Sequence, residues 1–207
     1  MSEFPAGRLK IMALHWLRRQ YPDALLTTEL AVAKYGDAML DVAAVTETEI
    51  VGVEVKGDGD SASRLERQGW TYARSARWMW LLPAPSLRSS ATKKKPVGWG
   101  LLEPNGDMLL ERHRANLLPN APAALVDILW KPELVKVAAE FGVPINKKSG
   151  CHLIADAVAE AVPLGKLRPT VCRFLRERRW SDLRRDGGMS VSKTVYTATD
   201  ALPALAA

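Results

Sequence analysis

The sequence predicts an α/β fold, with helices covering a mixed central sheet, followed by a β-hairpin and a small all-α unit. Three observations lead there. The runs MLDVAAV (39–45) and IVGVEVK (50–56) are rich in Val, Ile and Ala and are separated only by the polar Thr46-Glu47-Thr48-Glu49, as two tightly connected strands would be. A helical pattern, SASRLERQGWTYARSA, then leads to a third apolar run, RWMWLLPAP, and a strand, helix, strand succession implies a right-handed crossover. Finally, Asn105-Gly106 lies between two more apolar runs, which is the strongest short hairpin signal.

The elements follow in order. Residues 8–21 place Leu9, Met12, Ala13, Trp16 and Leu17 at helical spacing with basic residues on the other side, and Pro22 ends the helix. From Leu25 to about Val32 the text fits either a short strand or a helical turn. Gly57-Asp58-Gly59 breaks the second strand, and Asp60 or Ser61 can cap the next helix, which runs to about residue 76. Pro83 stops the following strand. Ser86–Pro96, with Ser89, Ser90 and the run Lys93-Lys94-Lys95, reads as a solvated loop. Beyond Pro119 and Pro122 the text changes character, and ALVDILWKPELVKVAAEFG, HLIADAVAEAV and LRPTVCRFLRERRW read as three helices. The last fifteen or so residues read as a loosely ordered tail. The expected division is a core at 1–88, a basic loop and hairpin at 89–120, a basic helical unit at 121–190 and a tail at 191–207.

Composition narrows the function classes. The 207 residues are 47% apolar and 25% charged, with 29 Lys and Arg against 23 Asp and Glu. No apolar run reaches the roughly 18 residues that cross a bilayer, and MSEFPAGRLK lacks the basic head and apolar stretch of a secretory signal. Two cysteines, Cys151 and Cys172, are too few for a disulfide framework or a cysteine-based zinc site, so a reducing cytoplasm is expected. The charge is polarised: residues 1–60 carry 6 basic and 10 acidic side chains, whereas 61–120 carry 10 and 4. A cation site beside a polyanion-binding surface would have this distribution.

The constellation that carries chemistry is Asp41, Glu54 and Lys56. Period-two alternation puts Glu54 and Lys56 on one face of a strand and Val53 and Val55 on the other. Asp41 can sit beside Glu54 if the two strands pair. Charges inside Val-rich strands are costly unless paired or bound to a cation. Two carboxylates suit a hard divalent ion such as Mg²⁺, and an ammonium two residues on would face the same bound group, a set able to hydrolyse a phosphodiester. The bland alternative makes Glu54 and Lys56 the solvent-facing members of an edge strand. Asp37, in the Lys34-Tyr35-Gly36-Asp37 turn, competes with Asp41 for the acidic role; Asp41 is favoured because it lies inside the apolar strand.

These residues resemble the PD-(D/E)XK, or restriction-endonuclease-like, nuclease superfamily: an acid on one core strand and Glu-x-Lys on the next, within a helix, strands, helix, strand core. The resemblance covers roughly residues 8–85. Gln68 and Tyr72 match the Gln-x-x-x-Tyr motif of its RecB-type branch, and their spacing puts them on one helical face with Arg64. The proline of the superfamily's nominal name is Leu40 here. The resemblance implies a nuclease acting on DNA with Mg²⁺ or Mn²⁺. Asp41, Glu54 and the Val55 carbonyl would hold the metal, with Glu29 as an added upstream acid. Lys56 would position the attacking water, and Gln68 and Tyr72 would support the phosphate side. The partner expected is DNA, single- or double-stranded, with no membrane, and a homodimer or larger complex is left open.

The nucleic-acid grip expected from the remaining charge is Arg64, Lys93, Lys94 and Lys95 together with Arg173, Arg176 and Arg179, the last three within a stretch from Arg168 to Arg185 that holds seven arginines and two acids. Trp180 is a candidate base contact and Lys147-Lys148 a weaker backbone contact. Such a run also suits a solvated helix face. Cys151-His152 and His15 are read as structural. Gly57-Asp58-Gly59 lacks the later glycine and lysine of a phosphate-cradling loop, which excludes an ATP-driven motor. Two competing functions are a non-catalytic nucleic-acid-binding module and an interaction protein whose basic helices dock on an acidic partner.

Overall fold

The computed structural model describes residues 3–32, 38–180 and 194–205. Asp37 and the arginines 184 and 185 of the basic run lie outside them. Helix α1 (Ala6–Gln20) is followed by strands β1 (Leu25–Ala31), β2 (Met39–Val45) and β3 (Ile50–Lys56), helix α2 (Leu65–Ser75) and strand β4 (Trp78–Pro83). Then come helix α3 (Arg88–Lys93), hairpin β5 (Gly100–Asn105) and β6 (Met108–His113), helices α4 (Pro122–Val126), α5 (Lys131–Glu140), α6 (Cys151–Ala161) and α7 (Leu164–Glu177), and a short strand β7 (Val195–Tyr196).

The strands form one open sheet in the order β6-β5-β4-β3-β2-β1-β7. Pairs β3·β4 and β4·β5 are parallel and the rest antiparallel, so the protein is a mixed α/β fold. Gly106, at φ 59, makes the turn of the β5–β6 hairpin. Gly52 has a different role: a Cβ there would lie 2.4 Å from Met79 Sδ and 3.2 Å from Leu40, so only glycine fits beneath these side chains.

Each sheet face is covered. Leu9, Met12, Ala13, Trp16 and Leu17 of α1 pack on Val42, Val51, Val53, Val55, Trp80 and Leu82. The other face, with Leu40, Ala43, Ile50, Met79 and Leu81, shares one apolar cluster with α2 and with residues of α4 to α7 such as Leu134, Val158, Val171 and Leu175. Among the described residues no helix is long and apolar enough to cross a membrane.

Several local expectations are resolved or corrected. Residues 25–31 are a strand, because β1 finds an antiparallel partner in β2. Neither Asp60 nor Ser61 caps α2; Asp60 accepts a hydrogen bond from the Gly57 amide at 2.7 Å, closing the turn after β3, and the helix starts only at Leu65. The stretch read as a solvated loop holds a 3-10 turn and α3, anchored by buried Ala91. ALVDILWKPELVKVAAEFG splits into α4 and α5, since Pro132 cannot continue a helix but suits its first turn. The tail is docked over its described part: β7 pairs with β1, and Leu202 and Leu205 pack on the α1 side. His15, half-buried, accordingly meets the Pro203 carbonyl at 2.9 Å.

Candidate active site

The candidate site lies where β2 and β3 part. Their ladder runs from Val45↔Ile50 to Val42↔Val53, and the next position sets Asp41 opposite Glu54. There the backbone pairing stops, and Asp41 Oδ2 accepts the Val55 amide at 2.8 Å. A side chain thus replaces a strand carbonyl, satisfying the buried N–H while the strands open. Val53 and Val55 pack on the α1 side, leaving Glu54 and Lys56 on the α2 side, as alternation requires.

Glu54 is 2% exposed and Lys56 6%. Lys56 Nζ donates to Glu54 Oε1 at 2.7 Å. The other oxygen, Glu54 Oε2, is buried without a hydrogen-bond partner. Burial, reinforced by the nearby Asp41 charge and only partly offset by Lys56, pushes Glu54 from 4.5 up to about 7. Without an added cation, this carboxyl is poised to hold a proton near neutrality.

Tyr72 and Gln68 sit over the same spot on α2. The Tyr72 hydroxyl donates to the Met39 carbonyl at 2.7 Å and accepts from Gln68 Nε2 at 3.3 Å. Burial raises the Tyr72 pKa, and the charges of Glu54 and Asp41 raise it further. Gln68 Oε1 is buried without a partner. The ring of Tyr72 stacks on Trp99 at 6.0 Å, so this residue is a core side chain with a polar tip near the carboxylates.

Glu29 joins from β1. It falls opposite Asp41 between the pairs Thr28↔Val42 and Leu30↔Leu40, yet the ladder skips it. Its φ of 56 is the single positive value of a non-glycine among the described residues. The residue that sequence reasoning missed is Lys10 of α1. Its Nζ lies 3.3 Å from Glu29 Oε1 and 3.3 Å from Asp41 Oδ1. Burial works against the Lys10 charge, but Asp41 and Glu29 together outweigh it and hold its pKa above the ordinary lysine value. The available signal was a lysine beside the buried stripe, next to Leu9, rather than on the basic outer face.

The basic residues divide between the two ends of the sheet. Arg64 precedes α2, and Lys93 and Lys94 close and follow α3; all three are exposed and follow the C-terminal ends of β3 and β4, where Lys56 faces Pro83. Lys95 is spent internally: its ammonium donates to the Trp99 carbonyl, and burial lowers its pKa. The α7 arginines lie at the other end. Arg168 and Arg176 reach Glu49 and Glu47 of the β2–β3 turn, each at 3.9 Å, and Glu49 is five residues from Glu54, about 17 Å along a strand. Arg173 pairs with Glu140 and Glu177, and Arg179 is exposed just beyond the helix.

Arg178, which contributed to the basic run, is buried. It grips Glu133 with two donors, at 2.8 and 2.5 Å, and the Ile128 carbonyl at 3.0 Å, while its guanidinium lies 4.2 Å from the Trp130 ring and 5.0 Å from the Trp180 ring. Trp180 Nε1 donates to the Leu175 carbonyl at 3.2 Å, so this side chain is engaged within the helical unit. Cys172 is buried and its thiol pushed up to about 12, mainly by that burial, which leaves no nucleophile there. Wider hollows, one lined by Trp16, Trp78 and Trp80 and one by Pro169, Arg173 and Arg176, include none of Asp41, Glu54 and Lys56.

Comparison with known families places the chain. The family model described as bacteriophage P4 protein cII matches residues 3–186, nearly the whole described chain. The chain belongs to the phage P4 cII family. The match takes in α1 to α7 and strands β1 to β6, and leaves β7 outside it. A solved structure, a protein of unknown function from Silicibacter pomeroyi, is 20% identical over 58% of this chain and 77% of its own, with a TM-score of 0.45. A comparison with curated proteins gives no match.

Among the described residues, no group of three or more His, Cys, Asp and Glu is arranged to hold a metal. The donors that do converge are the orphaned Glu54 Oε2, Asp41 across from it, and the Val55 backbone between Glu54 and Lys56. A buried carboxylate oxygen without a donor is the kind of atom that a hard cation such as Mg²⁺ or Mn²⁺ takes as a ligand, and the pair supplies two acidic ligands rather than three.

Proposed function

We propose that this P4 cII family protein is a divalent-metal-dependent nuclease that hydrolyses DNA phosphodiester bonds on a restriction-endonuclease-like core. The observation that carries the reading is Glu54: a carboxylate 2% exposed, one oxygen on Lys56, the other without a partner, directly across from Asp41. A chain does not gain stability by such an arrangement, since burying charge costs several kcal/mol that its partners rarely return. The order α1, β1, β2, β3, α2, β4, with the acid on β2 and Glu-x-Lys on β3, supports the core assignment.

Asp41, Glu54 and the Val55 carbonyl would hold the ion, which supplies Lewis acidity toward the phosphate and a bound water of lowered pKa. The protein's own residues do the rest. The Val55 amide fixes the Asp41 carboxylate, and the buried Lys56 ammonium stays within reach of the Glu54 side of the site, where it orients the water and offsets charge developing on the phosphate. Gln68 keeps an acceptor, Oε1, free to orient a water. Arg64, Lys93 and Lys94 stand at the same end of the sheet and suit backbone phosphates.

The test is incubation of purified protein with linear, circular and single-stranded DNA in Mg²⁺ or Mn²⁺, with EDTA controls and Asp41→Ala. Cleavage that needs the ion and Asp41 is expected. Salt-dependent binding without cleavage of any substrate would favour a non-catalytic DNA-binding module instead.

A further inference from the structure

Both oxygens of Asp41 are engaged: Oδ2 takes the Val55 amide and Oδ1 faces the Lys10 ammonium. The same ammonium reaches Glu29, whose backbone has left the β1 ladder at φ 56. A half-buried glutamate gains little from so unfavourable a conformation, and strain of this kind persists where the surroundings enforce it. The ammonium therefore sits between two carboxylates, as an ion would, and one of them, Asp41, lies across the strand opening from the buried Glu54.

We propose that Lys10 is a resident counter-cation of the metal site. It holds Glu29 and Asp41 together in the unloaded protein and must give up Asp41 Oδ1 when a divalent ion enters, so it sets the affinity for that ion. The inference rests on the reading of Asp41 and Glu54 as metal ligands and adds a residue of α1 to them. Two effects act in the same direction. Exchange breaks an ion pair, and the displaced positive charge stays near the incoming one. Lys10 is partly exposed, its side chain at 24%, so solvent screens both effects and the expected penalty is about tenfold in affinity.

The experiment is titration of the full chain with Mn²⁺, followed by calorimetry, for wild type, Lys10→Met, Lys10→Arg and Lys10→Met combined with Glu54→Gln, each checked for native circular dichroism. Lys10→Met should bind Mn²⁺ about tenfold more tightly than wild type, Lys10→Arg should match wild type, and Glu54→Gln should remove the gain. Wild type that binds while Lys10→Met binds equally or more weakly overturns the role of Lys10 alone. A gain that survives Glu54→Gln puts the ion elsewhere and also overturns it. No binding by any variant removes the metal-site reading and this inference together.

Discussion

Glu54 makes the stability of this protein depend on pH in a direction opposite to that of most carboxylates. Its folded-state value is about 7 against an ordinary 4.5, so between those values the folded chain holds a proton that the unfolded chain has released. The unfolded state binds fewer protons there, and stability falls as pH rises through the window, by 2.303RT per pH unit at most. Over the whole interval the loss is about 3 kcal/mol at ~1.4 kcal/mol per unit. Lys10, raised from 10.5, titrates far above this window and Asp200, lowered from 3.8, below it. Replacing Glu54 alone would leave the buried Lys56 ammonium without its carboxylate, so the informative variant is Glu54→Gln with Lys56→Met. Urea unfolding in EDTA at pH 5 and pH 8 should show wild type losing about 2–3 kcal/mol more than the double variant. At pH 8 the double variant should be the more stable, by roughly 1–3 kcal/mol, because it buries neither charge of the pair. Parallel pH profiles for the two proteins would refute the reasoning.

Three further perturbations test the scaffold. Arg178→Ala strands the Glu133 carboxylate and empties the space between Trp130 and Trp180; it should cost about 3–5 kcal/mol in denaturant unfolding, and a loss under ~1 kcal/mol would show the contact to be superficial. Gly52→Ala drives a methyl into Met79 Sδ and should cost ~1–3 kcal/mol, read as a Tm lowered by several degrees, with an unchanged Tm counting against the packing described. Tyr72→Phe removes the donor to the Met39 carbonyl and should lower stability by about 1–2 kcal/mol, whereas a neutral result would mean that water replaces the hydroxyl there.

What the sequence made legible followed from local patterns strong enough to survive tertiary context. Strands 39–45 and 50–56 fall where alternation and their short polar connection put them, because both are fully framed by breakers and bury nearly every side chain. The register, extended one position past Val42↔Val53, then brings Asp41 opposite Glu54. Less legible were features decided by distant partners. β1 is ambiguous alone and becomes a strand by pairing with β2 and β7. Lys10 is 31 residues from Asp41 in sequence, and only the packing of α1 on β2 and β3 carries its ammonium to the sheet opening. The arginine-rich text of α7 read as one basic face, but its members divide by partner: Arg178 inside, Arg168 and Arg176 on the β2–β3 turn, Arg173 on α5. Charge counts sum over faces that folding separates. The acidic balance of residues 1–60 has a matching explanation, since Glu29 and Asp41 share the ammonium of Lys10, and Glu54, across the strand opening from Asp41, takes that of Lys56.

The opening between β2 and β3 is proposed to cleave phosphodiesters. Its most direct test is the initial rate of DNA cleavage in Mn²⁺ by wild type and by Lys56→Ala, both shown to be folded and to bind DNA equally. Lys56→Ala should lose roughly 100-fold or more of the rate, the usual scale for a group that orients or deprotonates the attacking water. Equal rates in the two proteins would contradict the account.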